Sequence, residues 1–182
     1  MFYEVEIEDV VRVPPDMLKG NKEETVYNIL RLSYIGMIRK ELGMVISIKD
    51  IKEVSEGMVI PEDGGVYYRV KFVAYVYRPE LNELTHGIVS TITDFGAFVT
   101  IGPIDGLVHI SQIMDDEVVV SGKEALMGKK TRKVLKIKDF VRARVISISY
   151  KDITNIKVAL TMRQVGLGKL DWLKEEEKKK KK

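Results

Sequence analysis

Val66–Tyr77 constrains the fold more than any other stretch of this chain: twelve residues without glycine or proline, apolar or aromatic at every even position from Val66 to Val76. A period of two sustained over that length is a β-strand with one face in a core. Tyr75 and Tyr77 add apolar surface on the odd face, so the pattern predicts a strand covered on both sides. Pro61-Glu62-Asp63-Gly64-Gly65 is a turn that opens the strand, and Pro79 ends it. A domain boundary is expected near residues 80–82.

The chain before the strand supplies partners for it. Tyr3, Val5 and Ile7 alternate with Glu4, Glu6 and Glu8, the pattern of a half-buried strand over residues 2–8. Pro14-Pro15 interrupts any regular element. Val26, Ile29, Leu30, Ser33 and Met37 recur at helical spacing and predict a long helix over 22–42. Glu23 and Glu24 at its start and Arg39 and Lys40 near its end suit the helix dipole, and Gly43 is placed to cap it. A strand through Met44, Ile46 and Ile48 follows. Residues 1–80 thus read as an α+β domain, one long helix on an antiparallel sheet.

The second half has a different rhythm. Short apolar segments at 85–92, 94–101, 106–110, 132–138, 140–149 and 156–162 are punctuated by Gly87, Gly96, Gly102, Gly106, Gly122 and Gly128. That spacing predicts an all-β barrel over 81–165. Leu167, Leu170 and Leu173 suggest a short helix in 166–182, ending in a solvated charged tail. Charge divides the same way. The net +3 of the chain resides in the tail Lys174–Lys182, with six lysines against three glutamates. Residues 1–80 hold 11 basic and 14 acidic groups, whereas residues 81–173 hold 13 and 10. The second half is the better match for a polyanion.

Several classes of function find no support. The chain has no cysteine and only two histidines, His86 and His109, so thiolate sites and histidine metal clusters are unavailable. This usage fits a reducing compartment such as the cytoplasm. No apolar run approaches the roughly 20 residues that span a bilayer, and the acidic, alternating N-terminus is no signal peptide. Gly166-Leu167-Gly168-Lys169 lacks P-loop spacing and a following Ser or Thr. Asp115-Asp116-Glu117 reads first as a solvated acidic turn, and no Ser-His-Asp spacing is present. The expectation is a protein with no catalytic residue, cofactor or metal.

Single-stranded RNA is held by aromatic faces that stack on bases and by cations along the backbone. Phe95 and Phe98 lie three apart, so strict alternation would put them on opposite faces; Gly96 between them permits the chain to bring both to one surface. Residues 129–144 hold eight basic groups, Lys129, Lys130, Arg132, Lys133, Lys136, Lys138, Arg142 and Arg144, against the single acid Asp139. Such a run is commonly a solvated face, but inside a small barrel it offers a track for phosphates.

The segments Gly87-Ile88-Val89, Asp94-Phe95-Gly96-Ala97-Phe98-Val99 and Gly106-Leu107-Val108-His109-Ile110-Ser111 closely resemble the S1 RNA-binding domain, a five-stranded OB-fold barrel, and residues 142–162 resemble its last two strands. The resemblance implies that Phe95, Phe98 and His109 face RNA and that Lys157 supplies a basic contact. Ser149 departs from the pattern, standing where many S1 domains have aspartate. Nearly all of residues 1–165 resembles the E-prime family of archaeal RNA polymerase stalk proteins, counterparts of the seventh subunit of eukaryotic RNA polymerase II. The resemblance rests on Asp9-Val10-Val11-Arg12-Val13-Pro14-Pro15, Leu42-Gly43, Pro61–Gly65, Tyr77-Arg78-Pro79 and Gly128-Lys129-Lys130-Thr131. It implies a non-catalytic stalk component that forms a heterodimer with the small helical F protein of the polymerase. It also implies docking on core RNA polymerase through the tip carrying Pro61, Glu62, Asp63, Gly64 and Gly65, contact with emerging single-stranded RNA, and help with promoter opening and elongation. A free-standing S1 RNA-binding protein of ribosomal or RNA-decay type is the alternative; such a monomer would cover Val66–Tyr77 on both faces.

Overall fold

The computed structural model describes residues 1–121, 125–152 and 155–180. Gly122 and the terminal Lys181 and Lys182 lie outside the described residues. The chain forms two compact units, Met1–Arg78 and Pro79–Lys182.

The first unit holds β1 (Phe2–Val13), α1 (Lys22–Tyr34), β2 (Ile38–Arg39), β3 (Gly43–Val54), β4 (Met58–Val59) and β5 (Val66–Tyr77). The sheet runs β1-β5-β3-β2, with β4 paired to the start of β5, and every pairing is antiparallel. The even face of β5 forms the core: Val70, Phe72, Ala74 and Val76 pack with Val11, Val13, Val45, Ile48, Val26 and Leu30. Three register shifts between β3 and β5 coil the sheet. The side chain of Asn21 caps α1 by accepting from the Glu23 N–H at 2.9 Å. Val26, Leu30 and Tyr34 then fall four apart on the buried side, and the Tyr34 ring meets Phe72 edge-on at 5.0 Å.

The helix stops at Tyr34, eight residues before the sequence pattern suggested. Ile35 (φ −63°, ψ 125°) and Gly36 (φ 85°) form the centre of a type II turn, closed by the Met37 N–H on the Tyr34 carbonyl at 2.9 Å. Met37 keeps the helical spacing but belongs to the connection into β2. Gly43 is accordingly no helix cap. It opens β3, where a Cβ would stand 2.4 Å from the Tyr77 carbonyl oxygen.

The odd face of β5 is covered too, by side chains rather than by a second layer, with Val73 and Tyr77 buried there. This face lies among charges: Lys49 pairs with Glu4 at 2.9 Å, and Lys71 sits between Glu53 at 3.3 Å and Glu8 at 4.0 Å. The aliphatic stems of such side chains cover apolar surface while their heads stay in water; Val73 is buried here without a second layer. Tyr77 is buried with Phe2 against its ring edge, 5.0 Å between centroids.

The second unit is built on β6 (Leu84–Thr93), β7 (Gly96–Thr100), β8 (Asp105–His109), β12 (Phe140–Ser149) and β13 (Lys157–Thr161). Their order is β13-β8-β7-β6-β12, and β12 pairs back to β13, closing a five-stranded barrel of OB type. Among the described residues only β8 and β13 run parallel. Val89, Val99, Val108, Val141, Val145 and Leu160 fill the inside. The segment 132–138 is not a barrel strand. Its β11 (Val134–Lys136) joins β9 (Val118–Val120) and β10 (Ala125–Gly128) in a separate three-stranded sheet between β8 and β12 in sequence. A short β14 (Gly168–Lys169) pairs with β12 and leads into α2 (Leu170–Lys180), whose Trp172 is buried.

Phe72 is fully buried at the centre of the first unit. Phe72→Ala is expected to cost about 3–5 kcal/mol. In hydrogen exchange the loss of protection should concentrate in α1, β1, β3 and β5 and leave the barrel strands as in the parent.

Candidate nucleic-acid interface

One point of close approach organises the outer face of the barrel. Gly96 pairs with His109, and a Cβ on it would lie 2.2 Å from the Val108 carbonyl oxygen. No side chain fits there, so β7 and β8 close tightly next to the turn that carries Phe95. Phe98, two residues along β7 from Gly96, points to the same side. The two phenylalanine rings meet edge-to-face, 6.1 Å apart at 87°. Phe95 is 49% exposed and Phe98 half-buried, so neither ring belongs to the core. The face continues across the strands in register: Thr91 on β6, Phe98 on β7, Leu107 on β8 and Ala159 on β13.

His109 ends β8 on this face and is exposed. Its Nδ1 accepts from the Ser111 N–H at 3.3 Å and lies 2.9 Å from the Ser111 hydroxyl. That engagement leaves the proton of the neutral ring on Nε2, which becomes the donor available to a base or phosphate. Lys157 is exposed at the start of β13, two residues from Ala159 on the same face and opposite Ser149. Phe95, Phe98, His109 and Lys157 therefore share one outward surface.

The basic run is not one track. Lys129 is paired with Glu117, and Lys133 binds Glu176 at 2.9 Å while lying 5.5 Å from the centre of the Trp172 ring. Lys130 and Arg132 are exposed in the turn between β10 and β11. That turn is held by Asp116, whose carboxylate accepts from the Lys130 N–H at 3.0 Å, the Thr131 N–H at 2.8 Å and the Thr131 hydroxyl at 2.8 Å. The Thr131 amide above all holds the Asp116 carboxyl below its usual range. Asp115 binds Arg163 at 2.6 Å. The acidic turn thus works within the fold, and among the described residues no cluster of three or more metal-ligating side chains exists. Arg142 and Arg144 stand on β12, two strands from Phe98. Arg142 Nε donates to His86 Nε2 at 3.0 Å. Arg144 is half-buried, and its Nε has no hydrogen-bond partner among the described residues. Phe140 was missed by sequence reasoning, although the inward alternation of Val141, Ala143 and Val145 already sets it on the outward side with Arg142.

In the first unit, Pro61–Gly65 forms the end of the β4–β5 hairpin. Pro61 and Glu62 occupy the centre of a turn closed by the Asp63 N–H on the Ile60 carbonyl at 3.2 Å, with Glu62 left-handed (φ 72°). The Asp63 carboxylate stabilises this conformation, accepting from Arg12 Nε at 2.8 Å, the Tyr67 hydroxyl at 2.6 Å and the Gly65 N–H at 3.0 Å. The Arg12 hydrogen bond, then those from Tyr67 and Gly65, holds the Asp63 carboxyl well below the usual carboxylate range. A Cβ on Gly65 would stand 2.9 Å from Arg12 Nε. Its small size therefore serves an internal contact rather than an approach to another molecule. Met58, Val59 and Ile60 beside the turn are exposed.

Comparison with known proteins matches both units. Residues 8–64 match the SHS2 domain found in the N terminus of Rpb7p/Rpc25p/MJ0397, and residues 78–154 match the S1 RNA binding domain. The DNA-directed RNA polymerase subunit Rpo7 of Sulfolobus acidocaldarius is 39% identical over 177 residues, 97% of each chain. The chain belongs to the Rpo7 family of RNA polymerase subunits. The Rpo7 of Saccharolobus solfataricus is 38% identical over 98% of this chain and all of its own length. Subunit RPC8 of Saccharomyces cerevisiae DNA-directed RNA polymerase III is 33% identical over 63% of this chain and 54% of its own. Relatives of Rpo7 type thus align with both units rather than with the barrel alone. Among the described residues no helix is long and apolar enough to cross a membrane.

Phe95→Ala, Phe98→Ala and His109→Ala are expected to weaken single-stranded RNA binding while leaving thermal unfolding close to that of the parent. Loss of one stacked base corresponds to about 1–3 kcal/mol, roughly five- to hundredfold in affinity. Fluorescence anisotropy with a labelled oligonucleotide measures the effect; a folded Phe95→Ala protein binding like the parent would place the platform elsewhere. For the hairpin, a depressed carboxylate contributes its tether at every pH above the ordinary value of about 3.9 and loses it only as pH falls through the lower folded value. The Gly65 amide resonance should therefore stay constant from neutral pH down past about 4 and shift only below it. Asp63→Asn should move it already at neutral pH.

Proposed function

We propose that this chain is the non-catalytic stalk component of a cytoplasmic, multisubunit DNA-directed RNA polymerase. In this reading the barrel, residues 81–165, holds emerging single-stranded RNA and supports initiation and elongation. Residues 1–80 dock on the core enzyme, and the polymerase carries out the chemistry. The observation that carries the reading is the outward cluster of Phe95, Phe98 and His109 on one barrel face, within a chain collinear with Rpo7 over 97% of both sequences. Lys130, Arg132, Arg142, Arg144 and Lys157 supply cations around that face, and Lys129 and Lys133 join them once their exposed pairs with Glu117 and Glu176 exchange for phosphate. Exposed pairs of this kind hold their charges weakly, by about 0–1 kcal/mol.

For docking, the hairpin ending at Pro61–Gly65 offers a pre-shaped apolar tip. Met58, Val59 and Ile60 are exposed, and Asp63 fixes the turn beside them before any partner arrives. Such preorganisation lowers the entropy cost of association. For the small helical F protein as partner, the support is surface on and beside α1: Leu32 is 81% exposed, and a groove of about 470 Å³ next to the helix end is lined by Ile7, Tyr34, Met37 and Leu42 together with the charged Glu8, Asp9, Arg39 and Glu41. The outer face of β5 no longer argues for a partner, since ion pairs cover it.

A pull-down with the tagged full chain tests the assignment. The parent should recover core polymerase and a small helical protein; replacing Glu62–Gly65 should lose the core enzyme and keep the small partner. Recovery of neither by the parent would leave the free-standing S1 RNA-binding protein as the better reading.

A further inference from the structure

The outer surface of β6 and β12 carries aromatic and basic groups that the platform on β7 and β8 does not use. Phe140 on β12 is 60% exposed and pairs across the strands with Ile88 on β6, itself 41% exposed. The next outward pair is Arg142 and His86. Large apolar side chains placed together on a surface mark a binding site more often than single exposed ones do.

We propose that Phe140 and Ile88 form a second stacking station for single-stranded RNA, with Arg142 as its phosphate contact, so that a strand seated on Phe95 and Phe98 continues across β6. The proposal rests on the reading of Phe95 and Phe98 as an RNA platform and extends it. Three observations favour RNA as the occupant. The surface is continuous with the platform: strand order is β7-β6-β12, and Ile88 pairs with Thr100, two residues from Phe98. Phe140 is thus two strand spacings of about 4.8 Å and two residues of about 3.3 Å from Phe98. OB-fold sites take about 4–16 nucleotides, more than two adjacent rings can seat.

Charge is complementary to phosphate. No outward position of β6, nor of Phe140–Arg144, carries a carboxylate, while Arg142 and the exposed Lys138 flank Phe140 in sequence. An aromatic ring bordered by guanidinium suits a base and its phosphate. Finally, Arg142 is already oriented. Donation of its Nε to His86 Nε2 at 3.0 Å restrains the guanidinium and leaves its two terminal nitrogens as the donors for a phosphate. A planar fork held in place binds a phosphate with two parallel hydrogen bonds.

The test uses the full chain with oligouridylates of 4 and 14 nucleotides. Phe140→Ala should weaken the 14-mer about fivefold or more, the loss of one stacked base, and leave the 4-mer unchanged. Phe140→Trp should retain 14-mer affinity, since a larger ring still stacks. Arg142→Ala should flatten the dependence of log affinity on log salt by about 0.7, again for the 14-mer alone. Phe95→Ala should weaken both lengths. If Phe140→Ala binds both RNAs like the parent while Phe95→Ala weakens both, the second station is wrong and the platform stands. If Phe95→Ala leaves both unchanged, the platform fails and takes this extension with it. Unchanged RNA binding by Phe140→Ala combined with loss of a protein that co-purifies with the parent would assign the face to a protein partner and overturn the proposal. Because Phe140 is exposed, an altered unfolding temperature is not expected of either variant.

Discussion

The barrel depends on contacts so close that a side chain cannot stand in them. At Gly96 a Cβ would meet the Val108 carbonyl at 2.2 Å, at Gly106 it would meet the Leu160 side chain at 2.5 Å, and at Gly87 it would meet Val99 at 2.5 Å. These contacts let five short strands close around a narrow core, and closure removes the free edges that an open sheet would leave. The external face follows from the same geometry. With β7 drawn onto β8 at Gly96, the turn bearing Phe95 lies over the strand bearing Phe98, and His109 sits opposite the glycine. An outward aromatic surface is thus a by-product of how the core is packed.

The first unit solves the opposite problem. A single helix covers one face of its sheet, and the long central strand β5 must present its other face to water. Ion pairs among Glu4, Glu8, Lys49, Glu53 and Lys71 lie on that face, with little stability from each pair, and Val73 is buried there. At the β4–β5 hairpin one carboxylate, Asp63, gathers Arg12, Tyr67 and the Gly65 amide. An apolar tip held by a polar clamp is suited to insertion into another surface, because the clamp is satisfied before docking and needs no rearrangement.

Charge in the second unit is distributed by use. Lys129 and Lys133 are tied to carboxylates, Asp116 consumes its own charge on the backbone of their turn, and Arg142 is held by His86. A run of eight cations in sequence therefore becomes several separate stations in space, some around the three-stranded sheet and others on the barrel wall.

The alternation of Val66–Val76, the glycine rhythm of the second half and the Asp94–Val99 and Gly106–Ser111 segments were enough to establish an α+β unit followed by a small barrel with an outward-facing aromatic pair. Each is a local pattern, and period and turn chemistry are local properties of the chain. Long-range contacts decided the rest. Whether helical spacing ran to Met37 or stopped at Tyr34 depended on the type II turn that Gly36 allows and on its tie to Val45 of β3. Whether Gly43 capped a helix or began a strand depended on the Tyr77 carbonyl lying 2.4 Å from where its Cβ would be. The sign of the second face of β5 was set by neighbours on β1 and β3, which a single strand's pattern does not contain. Phe140 acquired a partner only when β12 paired with β6 and put it beside Ile88. Sequence specifies the side of a strand on which a residue stands, but what stands next to it is fixed by strand order, and strand order is settled by packing of the whole unit.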